Sequence, residues 1–282
     1  MKKLKSPASA STLTVSKAQQ KFESDHRKKH RFVRYARCFV LILFLLFWEY
    51  TSRTGLIDSF FFSSPTMVCL CFLEMLKTKA LLSHISITLL ETVISFMLVL
   101  MISLGTATFL WYSKKTSEIL EPFLVVLNSL PKSALAPLLI VWLGTGINTI
   151  IVAGISVAVF GSIISLYTGF MQVDAQKLLL VRTLGGSKKD TFLKVVLPSS
   201  IPVILSTMKV NIGLALVGVI IGEFLAARRG LGYLIIYGSQ VFQLHMLITS
   251  ILILCAIAMG LYQLIQWTEG NTSMYTYCLP FD

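Results

Sequence analysis

The chain is built around several apolar runs of about 20 residues, the length at which an α-helix crosses the hydrocarbon core of a bilayer. Within hydrocarbon a backbone must satisfy its own polar groups, so runs of this kind fold as helices. Of the 282 residues, 55% are hydrophobic and 13% charged, where soluble domains carry about 25% charged residues. No room is left for a large soluble domain. The expected fold class is therefore an all-α polytopic membrane protein with about six transmembrane helices. They are read at 36–51, 85–112, 118–142, 147–169, 199–225 and 242–267. They follow a basic tail over 1–35, the membrane domain extends over 36–270, and a short tail occupies 271–282.

The net charge of +12 would suggest nucleic acid if it were spread over a folded surface. It is not: residues 1–37 hold eleven Lys/Arg against Glu23 and Asp25. No aromatics interleave with them at regular spacing, so a nucleic-acid partner is not expected. A basic, membrane-proximal tail sets orientation instead, with Arg34 and Arg37 snorkelling to the interface. Counting Lys/Arg on alternate sides of the spans gives eighteen against five, which places both termini in the cytoplasm. Between the first two spans, Ser64-Pro65 is a helix-start signal and is followed by apolar residues at helical spacing, as in a helix lying on the membrane surface. Cys38, Cys69, Cys71, Cys255 and Cys278 form no disulfide framework, and the four histidines form no ligand cluster, so no metal site is expected.

The third span contains Pro122, Pro131 and Pro137 together with Lys132. Proline removes a backbone donor and kinks a helix. In a bilayer such breaks survive where protein or a water-filled cavity satisfies the freed carbonyls. This segment is therefore expected inside the bundle, as a packing kink or as a part of a transport pathway. Glu91, Lys132, Lys209 and Glu223 are ionisable residues within spans, a feature that points to function by default. A pathway position, a structural ion pair and an interface position all remain open for each. A pathway or gate reading takes in Pro131, Lys132, Pro137, Lys209, Asn211 and Glu223, with residues 206–224 lining the route. A partner for Glu223 is expected from Arg228 or Arg229, which are close in sequence, or from the opposite subunit.

Residues 171–202 form a basic, helix-patterned loop between two apolar runs. Asp174 to Leu184 reads as one helix with an apolar stripe at Leu178, Val181 and Leu184. Gly185-Gly186 can end it, because glycine tolerates the left-handed conformation. Ser187-Lys188-Lys189-Asp190 fits a capping box that starts a second helix. Phe192, Leu193, Val195 and Val196 give that helix an apolar side, and Leu197-Pro198 ends it. Two short helices at an angle, one face basic and one apolar, suit either a docking platform or a hairpin on the membrane surface.

These motifs also carry a resemblance. Gly185 followed by Leu197-Pro198, within VRTLGGSKKDTFLKVVLPSSIP (181–202), resembles the coupling loop of permease subunits of bacterial ABC importers, in particular the nitrate/sulfonate/taurine class. LPKSALAPLLIVWLGTG (130–146) and GEFLAARRGLGYLI (222–235) are similar to the same class, and the resemblance spans about 60–269 in order. It implies a type I importer-like fold in which loop 171–198 seats in a groove of an ATP-binding subunit. The implied docking residues are Asp174, Arg182, Gly185, Gly186, Ser187, Asp190, Phe192, Leu197 and Pro198. It further implies a second copy of the permease, two ATP-binding subunits inside, a substrate-binding protein outside, and a small anion or related organic solute as cargo. The family's acid six residues before the glycine is Leu179 here, followed by Leu180-Val181 in place of an alanine pair. That ionic contact is missing or is moved, to Asp174.

The chain contains no GxxxxGK[ST] phosphate loop, so ATP and Mg are expected on the partner and no cofactor on this chain. A stand-alone secondary transporter or channel is the alternative. It would need no docking loop, and the internal repeat common to such proteins is not visible. An embedded enzyme would need converging ionisable groups, whereas the four in the spans sit on separate segments.

Overall fold

The computed structural model describes residues 36, 39, 40, 42–56, 63–78 and 80–277, with side-chain placement extending to residue 267. The basic tail, its snorkelling arginines, Cys38 and Cys278 lie outside these residues. The chain divides into two units, 1–59 and 60–282. In the first, residues 42–53 are helical, and this is the described part of the first expected span.

The second unit is a helical bundle. Helix α1 is Pro65–Lys77, α2 Ala80–Tyr112, α3 Lys114–Ser129, α4 Lys132–Leu143 and α5 Ile147–Met171. Then come α6 Ala175–Thr183, α7 Lys188–Thr191, a π-turn over Phe192–Val196, α8 Leu197–Ser199, α9 Ile201–Ala226, α10 Leu231–Gln240 and α11 Leu244–Tyr277. Among the described residues four helices are long and apolar enough to cross a membrane: α2, α5, α9 and α11. The pair α3–α4 makes a fifth if it counts as one broken span.

In that pair the expected span over 118–142 is broken at Leu130-Pro131. The helices meet at 94°. The residue before a proline is driven out of the helical region by the pyrrolidine ring, and Leu130 accordingly has ψ 137° and Pro131 ψ 102°. Pro122 and Pro137 are held inside α3 and α4 without breaking them.

At the centre, α5 and α9 cross with almost no side chain between them. A Cβ on Gly218 would stand 2.7 Å from Gly154 Cα and 2.9 Å from Ala153 O, and one on Gly222 would stand 2.9 Å from Ile150 Cα. Helices in lipid gain little from burying apolar surface against each other, so close backbone approach through small residues supplies the attraction. Helix α2 adds a polar stripe at helical spacing, in which Thr88, Glu91, Thr92 and Ser95 are all buried. Helix α1 starts as its sequence predicts, with Ser64 Oγ accepting from Met67 N at 3.2 Å. Its buried face, Val68 and Cys71, packs on α11, where Thr249 Oγ1 donates to Val68 O at 3.3 Å.

Candidate functional site

The loop after α5 is assembled from local hydrogen bonds that its own residues supply. Asp174 caps α6 by accepting from Gln176 N at 2.9 Å. At the other end Gly185 takes φ +81°, its N–H bonds to Arg182 O at 3.0 Å, and Gly186 N–H bonds to Val181 O at 2.9 Å. These two bonds form a Schellman motif, which satisfies carbonyls that the helix end leaves unpaired. Ser187 and Asp190 then close the expected capping box around the start of α7. Lys194 Nζ lies 3.0 Å from Asp190 Oδ1. Hydrogen bonding by Ser187 and then by Lys194 holds the Asp190 carboxyl down at about 2.

Helix α7 does not end at Leu197-Pro198 as its sequence suggests. The backbone stays helical through Ser199, by way of the π-turn. A proline ring clashes with the carbonyl four residues back; the wider turn just before Pro198, with Leu197 N–H bonded to Phe192 O, relieves that crowding. The turn also drives Phe192 and Val196 into the bundle against Ala107, Leu166 and Phe170. Trp111, Tyr112 and Phe170 surround Phe192, with ring centroids 5.0, 5.6 and 5.5 Å away.

The apolar stripe expected on α6 divides. Leu178 packs against the Phe170–Phe192 cluster. Leu184 leaves the helical register at the cap and is 78% exposed, beside Leu179 at 61% and Leu180 at 60%. Leu179, Leu180 and Leu184 thus form an outward apolar patch on a base anchored in the bundle. Arg182 turns to a cavity of about 220 Å³ that it lines with Lys114 and Lys188.

At the far end of α9, Glu223 is fully buried. Thr88 Oγ1 donates to Glu223 Oε1 at 2.7 Å, and Gly232 N–H donates to Oε2. Leu231 N–H in turn donates to Thr88 Oγ1 at 2.9 Å, and Gly230 N–H donates to His84 Nδ1 at 2.9 Å. The carboxyl of Glu91 meets that of Glu223, a contact that is a hydrogen bond only when one of the two is protonated. The expectation that Arg228 or Arg229 pairs with Glu223 is therefore corrected. Both arginines are exposed and line a cavity of about 400 Å³ with Glu91, Gly146 and Ile150. Its sequence position could not reveal that Glu223 faces α2 and the turn before α10. The Thr88–Glu91–Thr92–Ser95 stripe inside an apolar run is the signal for it.

The other expected pathway residues fall in separate places. Lys132 Nζ sits over the Phe160 ring at 5.1 Å and donates to Leu127 O, which draws the start of α4 back onto the end of α3. Pro131 and Pro137 are exposed and Lys209 is half-buried. Asn211 is buried between α9 and α5, accepting from Ser162 Oγ at 2.6 Å. Among the described residues, no three His, Cys, Asp or Glu side chains form a metal-binding group.

Comparison with known proteins places this architecture. A protein of Haemophilus influenzae described as a probable ABC transporter permease is 31% identical over 79% of this chain and 90% of its own. The Bacillus subtilis protein named for aliphatic sulfonates transport, SsuC, is 26% identical over 74% of this chain and 76% of its own. The fold is similar to a solved structure of the MetNI methionine ABC transporter, with a TM-score of 0.59 at 18% identity over 70% of this chain and 96% of that one. The model of the family described as "Binding-protein-dependent transport system inner membrane component" matches residues 99–267, which contain the loop and both ends of α9. The chain belongs to that family, and it is a multi-pass inner-membrane permease subunit of an ABC importer.

Proposed function

We propose that loop 171–198 faces the cytoplasm and seats on a separate ATP-binding subunit, whose bound ATP and Mg supply the energy. On this reading the chain hydrolyses no ATP itself. It works as a homodimer with two such subunits, and it takes a small solute from an extracytoplasmic binding protein. The solute class is a sulfonate-like, nitrate-like or taurine-like anion or a related small organic. The kinship to SsuC supports that class. The observation that carries the docking assignment is the exposed trio Leu179, Leu180 and Leu184. Lys177 and Lys189 lie near it in sequence, and the helices are fixed to the bundle by Phe192 and Val196. Exposed apolar side chains on an anchored element, with charged neighbours in sequence, suit a protein groove, whose desolvated centre takes the apolar groups and whose rim takes the charges.

The test is co-purification of the ATP-binding subunit with an L180D/L184D variant. A drop of more than about tenfold, with normal membrane insertion, is expected when two buried interface leucines become carboxylates. Undiminished co-purification overturns the docking role. Orientation is tested separately with single cysteines at Lys188 or Asp190. These should resist a membrane-impermeant maleimide in intact cells, and labelling from outside would reverse the topology.

A further inference from the structure

We propose that the cavity beneath the coupling loop binds the phosphate of an anionic phospholipid, which ties helices α6 and α7 to the ends of α2 and α5. The cavity, about 220 Å³, is lined by three cations, Lys114, Arg182 and Lys188, and no acidic residue lines it. Lys188 Nζ donates to Tyr112 O at 2.5 Å and lies 5.7 Å from both the Trp111 and Tyr112 ring centroids. Among the described residues, the ion-pair partner of Lys114 is Glu118, 3.9 Å away on an exposed stretch of α3. Arg182 has no ion-pair partner among the described residues. Three cations lining one cavity with no acid among them give it a positive potential that favours an anion.

The rest of the lining identifies the kind of anion. Leu110, Phe170 and Met171 add apolar surface to the lining, and Trp111 and Tyr167 add aromatic rings. A site that is both cationic and apolar suits a group joined to a hydrocarbon chain. Tryptophan and tyrosine gather at the headgroup level of a membrane, and basic pockets between spanning helices hold lipid headgroups. An unattached phosphate ion would leave the apolar surface unused. The position gives the lipid a consequence, because Arg182 is on α6 and Lys188 opens α7. One phosphate held by both, and by Lys114 at the start of α3, would limit the movement of the loop that the docking reading requires.

The experiment uses the full-length permease without ATP-binding subunits, so its outcome does not depend on docking. The chain is placed in nanodiscs of phosphatidylcholine alone or with phosphatidylglycerol. Retained lipid is counted by native mass spectrometry, and hydrogen exchange is followed over residues 175–190. The wild type should keep one phosphatidylglycerol per chain and exchange more slowly when that lipid is present. Arg182→Gln, a change to an exposed side chain that supports no packing, should weaken retention about fivefold, the worth of one basic residue near an anionic surface. K114Q/R182Q/K188Q should abolish it. K177Q/K189Q removes as much positive charge from the same loop outside the cavity and should retain the lipid. Equal retention by the triple variant, or equal loss by K177Q/K189Q, overturns the site. Inorganic phosphate added to phosphatidylcholine discs is the last arm. If it slows exchange as phosphatidylglycerol does, the cavity takes a free anion and the lipid assignment fails.

Discussion

Glu223 is held by groups from two sides: the Thr88 hydroxyl on α2, and the backbone N–H of Gly232 at the start of α10. Thr88 works twice, since its oxygen also accepts from Leu231 N. Thr88→Val keeps the volume and removes both bonds, leaving the Leu231 N–H without a partner and Glu223 Oε1 without its hydroxyl donor. The expected cost is about 1–3 kcal/mol for each unsatisfied group, read as a lower unfolding temperature of the purified chain. An unchanged temperature would mean that water replaces the hydroxyl. Gly230 is the second sensitive residue. Its φ is +120°, and a Cβ there would stand 2.4 Å from Glu223 Cδ. Gly230→Ala should therefore be destabilising by about 1–3 kcal/mol from backbone strain alone, with displacement of the carboxylate in addition.

The elements show why some of the loop could be read in advance. A capping box is a contract between residues three apart, so Ser187 and Asp190 announce α7 from sequence alone. The same holds for Gly185-Gly186, although the two glycines differ in a way that sequence cannot show. A Cβ on Gly185 meets nothing within 4 Å and suffers only from φ +81°, whereas one on Gly186 meets Val181 O at 2.8 Å and Val181 Cγ1 at 2.5 Å. Gly185→Ala should cost about 1–2 kcal/mol locally. Gly186→Ala should do more, breaking the Schellman bond and loosening the ATP-binding subunit in pull-down; the opposite ranking would show that the cap does not set the angle of α6. Long-range packing was less legible. Leu197-Pro198 reads as a stop because proline opposes helices, yet the π-turn absorbs it once Phe192 has a pocket to fill. Pro131 marks a break, but no local rule fixes 94°. In the small-residue seam Gly218 and Gly222 stand one helical turn apart in the sequence, but their partner face at Gly154 and Ile150 appears only when α5 and α9 meet. Asp190 also predicts a pH response. Its carboxyl lies at about 2 in the fold, below the ordinary value near 4. Its contribution to the cap is thus complete above about pH 4 and is lost as pH falls toward 2. Asp190→Ala should speed hydrogen exchange over 187–191 at neutral pH, and the difference from wild type should close at the acid end.

At the scale of the whole molecule, α9 joins the two candidate sites. It has 26 residues and so a length of about 39 Å. One end continues, through α8 and the π-turn, into loop 171–198; the other ends at Glu223 and the turn before α10. It is held against α5 near mid-length by Asn211 and in its last third by Gly218 and Gly222, so a displacement would shift the helix as a unit more readily than bend it. A helix held in this way can carry a displacement of the loop to the Glu223 turn, provided that the turn has two arrangements that differ in energy by a modest amount. The Glu223 contacts are suited to such a choice, because they tie α9 to α2 and to α10 through a few directed hydrogen bonds. Glu223→Gln tests this. The amide oxygen can still accept from one neighbour, but the amide nitrogen then faces Gly232 N–H or the Thr88 hydroxyl where the carboxylate accepted from both. Maximal uptake should fall, and stimulation of the partner ATPase by the loaded binding protein should be uncoupled. The ranking of competing substrates should stay as it is, since Glu223 is fully buried and so does not meet solute. A variant that reorders substrate preference at an unchanged maximal rate would make Glu223 a ligand contact, and α9 would then carry no signal to it.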